Sequence, residues 1–114
     1  MKTTLLVLAA LGAGFVASPV TAPAADVRAN WDNHCAKCHA ADGSGNTKMG
    51  RKLSIRDYRD PKVQAALTDR DMIKATRGGL RDQQRELMKP FGGVLSDDEI
   101  KSLIAHIRSM APAQ

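Results

Sequence analysis

The sequence predicts a small all-α domain whose first and last helices pack together. Val27, Trp31 and Cys35 recur at intervals of four residues, which indicates an amphipathic helix near the start of the domain. A second apolar stripe follows a predicted capping box formed by Ser96 and Glu99, and no segment has the pattern expected of a strand. Because short helices are marginal alone, we expect these two to stabilise each other by packing.

The first 24 residues have the features of a secretory signal peptide. Lys2 precedes an apolar run over residues 5–17, which is short for a membrane span, and small residues lead up to Ala24. We therefore expect cleavage after Ala24 and a single exported, periplasmic domain over residues 25–114. An uncleaved N-terminal anchor is the alternative.

The composition limits the classes of protein to consider. The chain carries a net charge of +5, and only 4% of its residues are aromatic. Few large aromatic side chains are expected where a cofactor fills part of the core, although a core of aliphatic residues and methionine is the simpler alternative. Basic residues are interleaved with acids and form no nucleic-acid motif, so a nucleic acid is not expected as a partner; the modest positive charge favours acidic ones.

Two further helices follow from cap signals and spacing. Thr68 is a predicted N-cap and Gly78-Gly79 a stop signal, so we expect a helix over about 69–77 with Met72, Ile73 and Thr76 facing inward. The last helix starts after Ser96, and Arg108 is predicted on or near its outer face, close to the negative end of the helix dipole. Its inner stripe comprises Ile100, Leu103, Ile104 and Ile107.

The segment Cys35-Ala-Lys-Cys38-His39 carries the chemistry. C-x-x-C-H is the spacing that attaches a c-type haem covalently to protein. On a helical turn both thiols lie on one face, where they can reach the two vinyl groups along one porphyrin edge. His39 then lies beneath the iron as the proximal ligand.

Three other uses of the two cysteines remain open at this point. A thioredoxin-like redox pair needs a strand-helix context that is not evident around residue 35. A zinc site needs two further ligands, for which only His34 and the distant His106 are available. A disulfide between Cys35 and Cys38 would close a very small loop and stabilise little.

The second axial ligand decides whether such a haem binds small molecules or only exchanges electrons. Met88 is favoured because Pro90 ends any helix there and biases Lys89 toward an extended conformation, which can hold a thioether over the haem. An ordinary core methionine is the alternative. The other candidates are Met49, Met72, Met110, His34 and His106.

Together these segments resemble a known family. The haem motif at residues 35–39, Asp-Tyr-Arg-Asp-Pro at residues 57–61 and Met-Lys-Pro-Phe-Gly-Gly at residues 88–93, leading into residues 95–100, look like a bacterial class I mono-haem cytochrome c. The resemblance covers nearly all of residues 25–114. It implies the cytochrome c helical fold, with crossing terminal helices around one haem.

The resemblance also implies roles for individual residues. Cys35 and Cys38 would carry one haem c, with His39 and Met88 as axial ligands. The protein would be a soluble, monomeric one-electron carrier between redox partners, and not an enzyme; a gas-binding or sensor module with a weak sixth ligand is the alternative. Basic residues near the haem segments would form a docking rim for acidic partners. These are Lys37, Lys48, Arg51, Lys52, Arg85 and Lys89.

One segment departs from the family pattern. Residues 47–50 read Thr-Lys-Met-Gly where the family often has Gly-Pro, whose carbonyl accepts the other ring N–H of the haem-ligating histidine. The support of His39 is therefore not identified. Tyr58 is expected either to donate a hydrogen bond to a haem propionate or simply to pack.

Overall fold

A computed structural model describes Gly14 and residues 26–112. Apart from Gly14, the predicted signal peptide at residues 1–24 lies outside the described residues. The elements in chain order are α1 (Val27–His34), α2 (Ala36–His39), α3 (Lys48–Lys52), α4 (Pro61–Ala66), α5 (Asp69–Gly78), β1 (Leu80–Asp82), β2 (Arg85–Met88) and α6 (Asp97–Arg108). None of the helices in the described ranges is long and apolar enough to cross a membrane.

The core lies where α1 and α5 pack against α6. The predicted inner stripe of α6 is confirmed, since all four of its members are buried. Trp31 from α1 and Met72 from α5 are buried against it, as the spacing predicts. Phe91 and Leu95, from the segment before α6, complete this core. The helical architecture predicted from the sequence, with the first and last helices packed together, is therefore the one observed.

Side-chain caps begin the helices at the predicted residues. Ser96 Oγ accepts a hydrogen bond from the Glu99 backbone N–H at 3.1 Å, and Glu99 Oε2 accepts one from the Ser96 N–H at 2.8 Å. This reciprocal pair is the capping box that begins α6. Thr68 Oγ1 likewise accepts from the Asp71 N–H at 3.1 Å, so α5 starts at Asp69 as predicted.

The mainly helical structure also contains two short strands that the sequence pattern does not indicate. β1 and β2 form an antiparallel hairpin in which Leu80 pairs with Met88, and a register shift follows Leu80. Gln83 turns the chain with a φ of 53°, a conformation for which its sequence gives no glycine or asparagine signal. Both strands are largely exposed and rich in charged residues, so they lack the apolar alternation that reveals a strand.

Arg108 does not lie free on the outer face of α6. Its guanidinium donates hydrogen bonds to the carbonyls of Gln64 and Leu67, both at 2.6 Å, and to Asp69 Oδ1 at 2.8 Å. The amide of Gln64 in turn donates to the carbonyls of Tyr58, at 2.7 Å, and Ile107, at 2.8 Å. Arg108 therefore ties the α4–α5 connection to the end of α6.

Replacing Arg108 with alanine should lower the free energy of unfolding by about 1–3 kcal/mol, because two carbonyls and one carboxylate lose a charged donor. The measurement is urea denaturation of the folded protein. Lys101→Ala, at an exposed position on the same helix, is the control and should change stability by less than about 0.5 kcal/mol. Equal stability of the two variants would contradict this role of Arg108.

Candidate metal centre

The two cysteines lie on one short turn of helix. Cys35 lies between the two helices, as the C-cap of α1 and the N-cap of α2. Its N–H donates to the Trp31 carbonyl at 2.8 Å. The backbone N–H groups of Cys38 and His39 both donate to the Cys35 carbonyl, at 3.1 and 2.9 Å. The motif is therefore helical, as predicted, and both cysteines are free thiols.

The environments of the two thiols differ. Cys35 is buried and Cys38 half-buried. Burial, with a smaller contribution from the neighbouring Cys38, raises the pKa of the Cys35 thiol from 9.0 to about 11. Cys35 is consequently a neutral thiol at physiological pH, which suits a side chain packed in the core.

His39 is half-buried and directly follows Cys38. Its Nδ1 atom is buried and has no hydrogen-bond partner among the described residues. Burial lowers the pKa of the imidazole, so the ring is neutral at pH 7 and retains a lone pair that can bind a metal. An unpartnered buried nitrogen is uncommon in proteins and is consistent with a ligand position.

Two aromatic residues hold the His39 ring. Tyr58 stacks on it with ring centroids 5.2 Å apart and planes 15° apart, and the Trp31 indole lies at 5.8 Å. The indole N–H of Trp31 donates to the carbonyl of Ala40 at 3.1 Å, immediately after the motif. The sequence located both residues near the motif but carries no signal for the stacking of Tyr58 on His39.

The loop after the motif holds its backbone. The Thr47 hydroxyl donates to the Cys38 carbonyl at 2.8 Å, and the Gly45 N–H donates to the His39 carbonyl at 2.8 Å. Gly50 lies so close that a Cβ there would be 2.6 Å from the Cys38 carbonyl oxygen. The segment at residues 47–50 thus supports the main chain of the motif, and the ring of His39 has no identified hydrogen-bond support.

The structure weighs against the alternative uses of the cysteines. Within residues 26–112 there is no group of three or more His, Cys, Asp or Glu side chains arranged to hold a metal ion, which leaves zinc without a site there. The only sheet of the described part is the β1–β2 hairpin, so the motif has no βαβ context. Both thiols are free, so neither is used in a disulfide.

The candidate second ligands occupy different environments. Met88 is half-buried at the end of β2 and packs against the core that contains Trp31. Met72 is a core residue, as its helical position predicts, whereas Met49 is exposed on α3. Met110, after α6, is half-buried beside the loop that contains Gly43.

The remaining histidines contact aromatic rings. The imidazole of His34 lies edge-on to Phe91 at 5.7 Å between ring centroids, and that of His106 lies edge-on to Trp31 at 5.4 Å. His106 is half-buried on α6. Each of these rings is used in packing.

These donors fit a covalently attached haem. Two free thiols three residues apart can form two thioethers, and a neutral imidazole with an unpartnered nitrogen can ligate iron. A family of proteins described as "Cytochrome C oxidase, cbb3-type, subunit III" matches residues 22–107. The chain belongs to this family. It is a mono-haem c-type cytochrome, and the resemblance seen in its sequence is confirmed.

Solved structures give the same assignment. The chain is 30% identical to the KustC0563 c-type cytochrome, with a TM-score of 0.68 over 77% of this chain and 100% of that one. A tyrosine-to-phenylalanine mutant of that cytochrome is also 30% identical, with a TM-score of 0.66 over 75% of this chain and 99% of that one. A search of curated proteins found no match.

Membership of the family establishes the coarse function. A c-type cytochrome binds haem c covalently and serves as an electron carrier that exchanges electrons with redox partners. The predicted cofactor and cytochrome c fold are therefore confirmed.

Thr47→Val should destabilise the cytochrome by about 1–2 kcal/mol, because it removes the hydroxyl that caps α3 and donates to Cys38. Urea unfolding of the haem-loaded protein measures the change. Thr47→Ser keeps the hydroxyl and is the matched control. If valine and serine proved equally stable, the hydroxyl would not be what holds the motif.

Proposed function

We propose that this cytochrome is an exported one-electron carrier with one haem c bound through Cys35 and Cys38, and with His39 and Met88 as axial ligands. The observation that carries this proposal is one helical turn that brings together two free thiols and the imidazole of His39. When bound, the haem supplies an iron that alternates between the ferrous and ferric states.

His39 is suited to permanent ligation. Its burial keeps the imidazole neutral, and the rings of Tyr58 and Trp31 restrict its orientation. A ring that is held in place does not need to leave the metal during turnover. These contacts support a carrier in which His39 stays bound in both oxidation states.

Met88 is suited to the second position because its backbone is held. It pairs with Leu80 across the hairpin, and Pro90, two residues further on, fixes the direction of the chain. A thioether is a soft donor that favours the ferrous state and so raises the reduction potential. With two retained ligands the protein leaves no position for a substrate, and we propose that it is not an enzyme.

The proposed docking surface is narrower than the rim predicted from sequence. Arg85 pairs with Asp82 at 3.6 Å, and the ammonium of Lys89 lies 5.4 Å from the centre of the Phe91 ring. Lys37, Lys48 and Lys52 are exposed and make no ion pair within the described part of the chain. We therefore propose that an acidic partner docks on α2, which is part of the haem motif, and on α3, which contacts α2.

We also propose that the mature protein is a periplasmic monomer that begins near Ala25. This rests on the basic, apolar and small-residue pattern of residues 1–24. It agrees with the resemblance to bacterial c-type cytochromes, whose haem is attached outside the cytoplasm. Mass spectrometry of the secreted protein would identify the cleavage site.

Met88→Ala should abolish the sulfur-to-iron charge-transfer band of the ferric protein and lower its reduction potential by on the order of 0.1 V or more, because a soft axial ligand is lost. Optical spectroscopy and a redox titration measure both effects.

Met49→Ala, at an exposed methionine, is the control and should keep the band. If the band survived in Met88→Ala, the sixth ligand would be another residue. A wild-type protein without the band that binds carbon monoxide tightly would instead favour the gas-binding alternative.

Electron transfer to an acidic redox partner should slow by about tenfold or more between low ionic strength and roughly 0.5 M salt, because exposed charges are screened. Stopped-flow kinetics measures the rate. Replacing Lys48 and Lys52 with glutamine should reduce this salt dependence, whereas Lys74→Gln on α5 should not. A rate that does not change with salt would contradict electrostatic docking.

A further inference from the structure

The segment that carries Met88 lies directly against the last turn of α5. The Phe91 N–H donates to the Thr76 carbonyl at 2.9 Å, and the Gly92 N–H donates to the Arg77 carbonyl at 3.1 Å. Carbonyls in the last turn of a helix have no partner within the helix itself. The segment from Met88 to Gly92 therefore satisfies the end of α5 and is held there.

Gly79 makes this close approach possible at one end of the segment. It ends α5 with φ 75° and ψ 178°, a backbone conformation that is essentially restricted to glycine. A Cβ at this position would lie 2.6 Å from the Met88 carbonyl oxygen and 2.9 Å from the Pro90 nitrogen. Both are backbone atoms, so no side-chain rotation can relieve the overlap.

Gly92 has the same role at the other end. A Cβ there would lie 2.9 Å from Arg77 Cγ and 3.0 Å from the Arg77 carbonyl oxygen. The Arg77 side chain is itself held by Asp97, which accepts from its guanidinium at 2.8 Å. The overlap at Gly92 is milder than at Gly79, because φ of Gly92 is not positive and one of the contacts is to a side chain.

The hairpin also holds the main chain of Met88. The register of β1 and β2 shifts directly after Leu80, the residue that pairs with Met88. Such an irregularity redirects a side chain relative to a regular strand. The orientation of Met88 thus depends on how closely its own main chain approaches Gly79.

We propose that Gly79 and Gly92 are positioning residues that set the distance between the Met88 thioether and the haem iron. The proposal rests on Met88 being the axial ligand, as proposed above. A Cβ at position 79 would lie 2.6 Å from the Met88 carbonyl oxygen, whereas ordinary van der Waals contact begins at 3.4 Å. The Met88 main chain would therefore have to move away from position 79. Because this movement displaces Met88 itself, it would weaken the bond between the Met88 sulfur and the haem iron. It would leave the core helices in place.

Two neighbouring glycines provide matched controls. A Cβ at Gly78 or at Gly93 would meet no atom within 4 Å, and neither residue has a positive φ. Gly78 lies in the last turn of α5, where alanine favours the helix. Each control is adjacent in sequence to one of the positioning residues.

The experiment compares four alanine variants of the full haem-loaded protein at positions 78, 79, 92 and 93. Three quantities are measured for each variant: the intensity of the sulfur-to-iron charge-transfer band, the reduction potential and the affinity of the ferric protein for added imidazole. Imidazole binds only when Met88 has left the iron, so its apparent affinity reports the fraction of protein with a free sixth position. Circular dichroism and urea unfolding monitor the fold.

Gly79→Ala should weaken the band, lower the potential and raise imidazole affinity by about tenfold or more, and Gly92→Ala should do the same to a smaller degree. Gly78→Ala and Gly93→Ala should match the wild type in all three quantities. If Gly79→Ala does not fold, Gly92→Ala decides the question.

Two results would overturn the proposal. One is a loss of stability in Gly79→Ala and Gly92→Ala with an unchanged band, potential and imidazole affinity, which would make both glycines purely structural. The other is an equal change in the control variants. A wild-type protein that lacks the band would refute Met88 ligation itself, which is a distinguishable outcome.

Discussion

The burial of Trp31 joins the helical core of this cytochrome to its haem motif. Its indole is 2% exposed, packs in the core formed with α6 and contacts the rings of both His39 and His106. Its single polar group donates to the Ala40 carbonyl, so burial leaves no unpaired donor. One side chain therefore fixes the position of α1, the end of the C-x-x-C-H segment and one wall around the His39 ring.

Sequence patterns predicted the parts of the fold that bury apolar side chains at helical spacing. The stripe of α6, the caps at Thr68 and Ser96 and the inward position of Trp31 all follow from local chemistry that acts within one or two turns. The β1–β2 hairpin could not be predicted in this way, because its strands are short, charged and exposed. Phe91 and Gly92, which follow the hairpin, donate to the last turn of α5, and no local pattern encodes these contacts.

In the functional site too, contacts between neighbouring residues were predictable from the sequence and contacts between distant residues were not. The spacing of Cys35, Cys38 and His39 is local, so the sequence predicts their helical arrangement directly. The stacking of Tyr58 on His39 and the close approach of Gly79 to Met88 join residues that are distant in sequence or separated by a hairpin. A Gly-Gly pair is read from sequence as a helix stop, and only the structure reveals that one of the two also accommodates another chain segment.

The packing of α1 on α6 also determines how the chain must fold. Asn30 donates to Glu99 across 69 residues, so this contact closes almost the whole described chain into a loop. Closing a long loop costs conformational entropy before any packing is gained, although that cost grows only slowly with length. The haem motif and the methionine segment both lie within this loop. Loss of either terminal helix should therefore remove the metal centre and the fold together.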